Sequence, residues 1–279
     1  VRGLRLLADA GSTKTRWVAL PPQTIDLRTA GLNPEYHSDA FIQQTLAEVI
    51  ATCPEITELT FYGAGCSSPT LAVRMRNALQ TAWPGAAVQV HHDLVGTARS
   101  LLGNEPGLIG ILGTGSSAAA YDGQRITQMR GQLGYLLEDF GSGNALGRAL
   151  LRGILHQEAP HEVEAAFRAA YGEPTAFLQR VYASDRPNTL LAQLARLVHD
   201  YQGLAFMERI IQTCFKPFFA ESVRPLLAEQ PGQRLALSGS VAAAFAPQLH
   251  QVAHACGLEI SMTVADPVAG LLRYHAQVQ

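Results

Sequence analysis

The hydrophobic period of the chain changes several times, and each change marks an element. Residues 3–9 (GLRLLAD) and 15–20 (TRWVAL) are short apolar runs on either side of a polar tip, so they read as strand, turn and strand, ended by Pro21-Pro22. RTAGLNP (28–34) reads as a loop closing on Asn33-Pro34. AFIQQTLAEVI (40–50) carries apolar residues at helical spacing, with Ser38 or Asp39 placed to cap it. ELTFYGAG (58–65) reads as a buried strand closed by glycines, 71–83 as an amphipathic helix, 87–93 as a strand ending in Asp93, and 94–102 as a helix. Strands alternating with helices predict an α/β domain with some parallel pairing.

The pattern then restarts about 105 residues further on. GLIGILGTGSSAAAYDGQRI (107–126) repeats the apolar run, the glycine-hydroxyl turn and the second run, which suggests an internal duplication. Beyond RGQLGYLLEDFGSGNALG (130–147) the chain turns helical. Helices are expected over 145–155, over 161–172 with Gly172 as a stop, over 189–203, and over 204–232 up to Gly232. Residues 234–249 return to strand, glycine turn and helix, and 266–277 forms a last helix with Pro267 in its first turn. No low-complexity linker interrupts the chain.

Composition narrows the partners. Of 279 residues 47% are hydrophobic and 16% charged, enough for a large buried core, and the net charge of -2 favours neither nucleic acid nor an anionic membrane. No run approaches the length of a spanning helix, and Val1 to Leu7 has no apolar stretch of signal length, so a cytoplasmic protein is expected. Cys53, Cys66, Cys214 and Cys256 lie far apart without a CxxC pair, which argues against zinc or a redox dithiol and for reduced thiols.

Three loops share one chemistry. They are Asp9-Ala10-Gly11-Ser12-Thr13-Lys14-Thr15, Gly113-Thr114-Gly115-Ser116-Ser117 and Ser238-Gly239-Ser240-Val241, each directly after an apolar run. One such loop is most simply a turn. Three together point to backbone N–H groups and hydroxyls gathered on phosphate, because glycine lets successive amides converge on an anion. The spacing GxxxxGK[ST] is absent, which excludes a P-loop enzyme. GTGSSA also fits a relaxed dinucleotide fingerprint, but that reading needs a helix straight after the glycines, whereas Tyr121-Asp122-Gly123 reads as a turn.

Two acids end strands. Asp9 beside a phosphate loop calls for a cation such as Mg²⁺, or else it bonds the turn amides. Asp93 is equally readable as a general base facing a cleft and as the cap of the following helix. His91 and His92 read as strand and edge residues. Glu138-Asp139 read as a helix-capping or ligand-holding pair.

These residues together carry a resemblance. ADAGSTKT, ILGTGSS and LSGSVAAAF resemble, in order, the two phosphate loops and the adenosine loop of the actin, sugar-kinase and heat-shock ATPase superfamily. GLNP, FYGAGCSSP, HHDLVGTARSL, GTGSSAAAYDG and LGYLLEDFGSGNALG resemble the N-acetylglucosamine kinase branch of its BadF-type ATPases, over residues 6 to 272.

The resemblance implies an α/β fold of two ribonuclease-H-like lobes with an interlobe nucleotide cleft. One lobe would span 1–106, with the terminal segment 267–279 packed back on it. The other would span 107–266 and carry a helical insertion. It further implies an ATP-dependent kinase for an N-acetylated amino sugar, N-acetylglucosamine or N-acetylmuramic acid, acting at the C6 hydroxyl in amino-sugar metabolism and cell-wall recycling. Mg²⁺ is the implied cofactor and ATP the co-substrate. A small sugar is the implied partner, and a homodimer the assembly kept open.

Carried over residue by residue, Asp93 is the implied base and Asp9 the metal ligand. Gly11, Ser12, Thr13, Lys14, Thr15, Gly113, Thr114, Gly115, Gly239 and Ser240 are the nucleotide contacts. Asn33, Asp93, Thr114, Ser117 and Asp139 are the sugar contacts. Two departures stand out: Ser117 replaces the family's asparagine, and Glu138 and Phe140 flank Asp139 where the family has glycine and glutamate. They leave room for a different acceptor, or for a BadF-type ATPase or nucleotide-binding sugar sensor without turnover. Activators of that family bridge an iron–sulfur cluster through cysteines near the lobe junction, and the chain has none between Cys66 and Cys214.

Overall fold

A computed structural model describes residues 3–229 and 234–277. The expected helix end at Gly232 and the outer bounds of the expected lobes, 1 and 279, lie outside these residues. The chain divides into two compact units. One runs to Asn104 and takes up the chain again at Pro267; the other runs from Glu105 to Asp266.

In the first unit, β1 (Arg5–Ala10), β2 (Lys14–Ala19) and β3 (Asp26–Ala30) form an antiparallel meander. Helix α1 (Asp39–Thr52) leads to β4 (Glu58–Gly63), α2 (Pro69–Ala82) to β5 (Ala87–His92), and α3 (Asp93–Leu102) follows. The sheet order is β3-β2-β1-β4-β5, with β4 parallel to both β1 and β5. Alternation along β1 sorts its two faces. Leu6, Ala8 and Ala10 join Trp17, Phe61, Ile42, Leu46, Met75 and Leu79 in one core. Leu7 lies on the other face with Tyr62, Val18, Val268 and Leu271. Ser38 caps α1 by accepting from Phe41 N, as expected. Residues 28–30, the start of the expected 28–34 loop, belong instead to the edge strand β3, with Trp17 Nε1 donating to Thr29 Oγ1 at 3.0 Å.

The second unit begins with the meander β6 (Gly107–Leu112), β7 (Ser116–Tyr121) and β8 (Ile126–Arg130). Among the described residues seven helices follow: α4 (Gly143–Leu155), α5 (His161–Tyr171), α6 (Pro174–Ala183), α7 (Pro187–Gln193), α8 (Ala195–Asp200), α9 (Ala205–Pro217) and α10 (Arg224–Glu229). A π-helical turn, Phe218–Val223, joins the last two. It lies between Pro217 and Pro225, neither of which can donate to the helical ladder. Strand β9 (Leu235–Ser238), α11 (Ser240–Ala244), α12 (Ala246–Ala255) and β10 (Ile260–Val264) complete the unit. The sheet order β8-β7-β6-β9-β10, with β9 parallel to β6 and β10, repeats the first sheet strand for strand. The duplicated letter pattern thus corresponds to a duplicated topology. Asp122 N bonds Arg125 O at 3.2 Å in the β7–β8 turn, so a hairpin follows GTGSS and the dinucleotide reading falls.

The last helix, α13 (Val268–Gln277), packs on α3. The approach is close: a Cβ built on Gly270 would lie 2.2 Å from Ser100 Oγ. Ser100 Oγ also donates to Pro267 O at 2.6 Å. Among the described residues no helix is long and apolar enough to cross a membrane.

Candidate active site

Ligands of open α/β sheets collect at the carboxyl ends of parallel strands. In the first unit Ala10, Gly63 and His92 lie side by side across β1, β4 and β5. Asp9 immediately precedes this row and Asp93 immediately follows it. The two acids therefore flank one sheet edge, with their strands two inter-strand spacings, ~10 Å, apart. Asp9 lies on the same face as Leu7, the face that carries Tyr62.

Asp93 opens α3. Its Oδ1 accepts from Leu94 N at 2.8 Å and lies 3.1 Å from His92 Nε2, and its side chain is 22% exposed. Among the described residues nothing bonds Oδ2. The carboxylate is thus anchored through one oxygen and presents the other; the cap position is His92, which makes no side-chain cap bond, so Asp93 is the first helical residue and not the expected cap. Burial and the Asp93 charge push the neighbouring Cys66 thiol up to about 12. A thiol held protonated is inert as a nucleophile.

The hairpin tip between β1 and β2 places its residues unequally. Gly11 N closes the turn on Lys14 O at 2.9 Å, while Thr13 and Lys14 are exposed and Ser12 is half-buried. Thr15, expected as a nucleotide contact, has its side chain turned into the sheet's core. It lies in β2, fully buried, and its Oγ1 accepts from Leu32 N at 3.1 Å. It shares the inward face with Trp17, two residues on. Asn33 is 3% exposed. Its Nδ2 donates to Ser12 Oγ at 3.0 Å and its Oδ1 accepts from Glu35 N at 2.9 Å.

The second unit repeats the arrangement at its own carboxyl edge. Gly113, Thr114 and Gly115 follow β6, with Gly113 N closing the turn on Gly115 O at 2.9 Å, the counterpart of the Gly11 bond. A Cβ on Gly113 would meet nothing within 4 Å, so the space over this turn is open. The loop is held from behind by the start of α4: Gly143 N donates to Gly113 O at 2.8 Å and Asn144 N to Thr114 O at 3.1 Å. Two amides that a helix start leaves unpaired are used in this way.

Asp139 completes the support. It is 6% exposed and takes a left-handed φ of 82°. Its Oδ1 accepts from Ser116 N at 2.6 Å and its Oδ2 from Asn144 Nδ2 at 2.8 Å. Burial pushes its carboxyl above the usual range, against the opposing pull of Asn144, Ser142 and Ser116. Glu138 Oε2 accepts from Leu133 N at 2.9 Å, and Phe140 packs on the unit's core, so both departures beside Asp139 have local structural partners. Ser117 sits in β7 opposite Ile111.

Gly239 follows β9 with φ 118°, and a Cβ there would lie 2.3 Å from Leu112 O, so only glycine fits. Ser240 beside it is exposed.

The sequence reading passed over Gly31 and Asn144. Gly31 was visible only as one letter of a loop. A Cβ on it would lie 2.5 Å from Gly11 O, an approach that depends on β3 pairing with β2. Asn144 was read only as a helix start. Among the described residues no group of three or more His, Cys, Asp or Glu side chains forms a metal site. A single carboxylate, Asp9, on the strand that leads into the Ser12–Thr13 turn is still a donor of the hard-oxygen kind that suits Mg²⁺, which takes few protein ligands and completes its shell with water and phosphate.

No protein-family model matches the chain, and no curated protein does. Solved structures do. A protein of Porphyromonas gingivalis named "Putative N-acetylglucosamine Kinase" is 32% identical over 98% of this chain and 99% of its own, with a TM-score of 0.92. One of the same name from Chromobacterium violaceum is 21% identical over 97% and 99%, with a TM-score of 0.74. A Listeria monocytogenes protein named as a putative N-acetylmannosamine kinase shares the fold at 14% identity over 99% of each chain, with a TM-score of 0.55.

Proposed function

The chain belongs to the actin-like sugar-kinase superfamily, within its N-acetylglucosamine kinase branch, and from that premise we propose that it transfers the γ-phosphoryl group of ATP to the C6 hydroxyl of an N-acetylated amino sugar, N-acetylglucosamine or N-acetylmuramic acid. The observation that carries this reading is the carboxylate of Asp93, anchored by Leu94 N through Oδ1 and open at Oδ2, at the strand edge that also bears Asp9.

Asp93 Oδ2 takes the proton of the sugar hydroxyl. The freed oxygen attacks the γ-phosphorus in line, the bond to the β-phosphate oxygen breaks, and ADP leaves. Phosphoryl transfer needs mostly positioning and neutralised charge. In this reading Ser12, Thr13, Lys14, Thr114 and Gly115 contact the phosphates. Gly11 and Gly113 keep the two turns tight, and Gly239 and Ser240 border the adenosine. Asn33, Thr114 and Ser117 contact the sugar. Asp139 contributes to sugar binding chiefly by fixing the 113–117 loop through Ser116 N and Asn144. Asp9 would hold Mg²⁺ together with the phosphates; when bound, the ion neutralises charge on the transferring group.

General-base assistance contributes about 10²–10⁴-fold. Asp93→Asn is therefore expected to lower kcat by at least ~10² while N-acetylglucosamine still binds in calorimetry. Turnover near the native level in that variant removes Asp93 from the reaction.

A further inference from the structure

The residues after β3 do not leave the β1–β2 hairpin. The ladder continues past Ala30 with Gly31 N donating to Thr13 O at 3.1 Å. Leu32 N then donates to Thr15 Oγ1 at 3.1 Å, and Asn33 Nδ2 to Ser12 Oγ at 3.0 Å. No slack remains between the two segments, because a Cβ on Gly31 would lie 2.5 Å from both Gly11 O and Ser12 C. Leu32 is fully buried and Asn33 is 3% exposed. On the far side the Gly65 turn presses on Asn33, where a Cβ would lie 2.0 Å from Oδ1. The hairpin tip and the 31–34 segment are therefore one body, and a displacement of either moves the other.

We propose that Thr15, which is fully buried in β2, is a positioning residue that couples nucleotide binding at the hairpin tip to sugar binding at Asn33. This rests on the kinase reading of the site. Either ligand that orders the shared body lowers the ordering cost of the other, and such coupling is reciprocal. Thr15 is the informative position because its hydroxyl ties the two segments from inside the sheet, whereas Ser12 and Asn33 are themselves expected to touch ligand.

The test measures the affinity of the non-hydrolysable analogue AMPPNP by calorimetry, with and without saturating N-acetylglucosamine. In the native protein the sugar is expected to tighten AMPPNP binding by about 5-fold or more. Thr15→Val keeps the volume and removes the hydroxyl; it is expected to bring that factor close to 1. Thr15→Ser restores the hydroxyl and is expected to restore the factor, even though the lost methyl lowers Tm. A purely structural Thr15 would give the opposite order, with Thr15→Val coupled and Thr15→Ser impaired in step with its stability.

A native factor of 1, or an unchanged factor in Thr15→Val, overturns the proposal and leaves the kinase reading standing. Failure of the native protein to bind AMPPNP overturns both. If Thr15→Val does not fold, amide exchange of Leu32 in the native protein decides. It is expected to slow on adding either ligand alone, and slowing by only one of them contradicts the coupling.

Discussion

Asp9 is the residue whose role is most open to a chemical test. It stands at the end of the central strand β1, next to the hairpin tip and two strands from Asp93. Asp9→Asn removes the charge while keeping the shape. It is expected to raise the Mg²⁺ concentration for half-maximal turnover at least ~10-fold, since a hard dication loses its single protein carboxylate. An unchanged Mg²⁺ dependence takes Asp9 out of the metal site. Both acids were legible because a carboxylate closing an apolar run is conspicuous in the sequence. The burial of Thr15 had a signal in the sequence: counting back by two from Trp17 puts it on the inward face of β2. The several roles of Asp139 were not legible. Its left-handed backbone and its bonds to Ser116 and Asn144 bring together residues 23 and 5 positions away, which no local pattern announces. Gly239→Ala is expected to cost ~2 kcal/mol or more, read as a fall in denaturation midpoint, because the new methyl meets Leu112 O and the φ is one that side chains avoid.

At the scale of elements, the unexpected strands β3, β8 and β10 all lie at sheet edges. An edge strand is half solvated and needs no strong apolar alternation, so DLRTA and ISMTV carry little signal, and only their pairing partners make them strands. Helix α4 was read from residue 145, but it begins at Gly143 behind the Ser142 cap, whose Oγ accepts from Ala145 N at 3.0 Å. Ser142→Ala is expected to cost about 1 kcal/mol. Because α4 supports the 113–115 turn, that loss should also raise KM for ATP.

The docking of α13 predicts a pH dependence. Tyr62 Oη accepts from Arg99 Nη1 at 2.9 Å and faces His275 Nε2 at 2.9 Å, with His91 stacked on its ring and Tyr274 under Arg99. The pair with Tyr62 Oη is complete with a neutral imidazole, whichever ring nitrogen carries the hydrogen. Burial, with the charges of Arg99 and Arg5, holds His275 down at about 4; burial, with Arg99, His275 and Arg76, does the same for His91. The unfolded chain takes up these protons near 6.5, before the folded one does. Stability is therefore fully present above that pH and is lost as pH falls from 6.5 toward 4. Thermal denaturation across that range should show a falling Tm, with a shallower slope in His275→Gln. Parallel slopes would mean that His275 is not held neutral.

For the whole molecule, the two sheets share one strand order and one set of directions, and the candidate residues of each unit stand at the carboxyl edge of its own sheet. That repetition was readable as pattern long before it was readable as letters. The core-forming runs at 3–9 and 107–112 are alike in period, while their identities differ. The helical insertion was legible only in outline. Helix α6 passed unnoticed, and the helical reading of 204–232 ran through the two prolines without announcing the π-helical turn between them. The central claim is an ATP-dependent transfer to an amino sugar. The most direct measurement is ADP release from Mg-ATP by the native protein with N-acetylglucosamine, N-acetylmuramic acid, N-acetylmannosamine, glucosamine and glucose in turn. Release that depends on sugar and is fastest with N-acetylglucosamine or N-acetylmuramic acid is the predicted result; release that no sugar increases, or none at all while ATP binds, would contradict it.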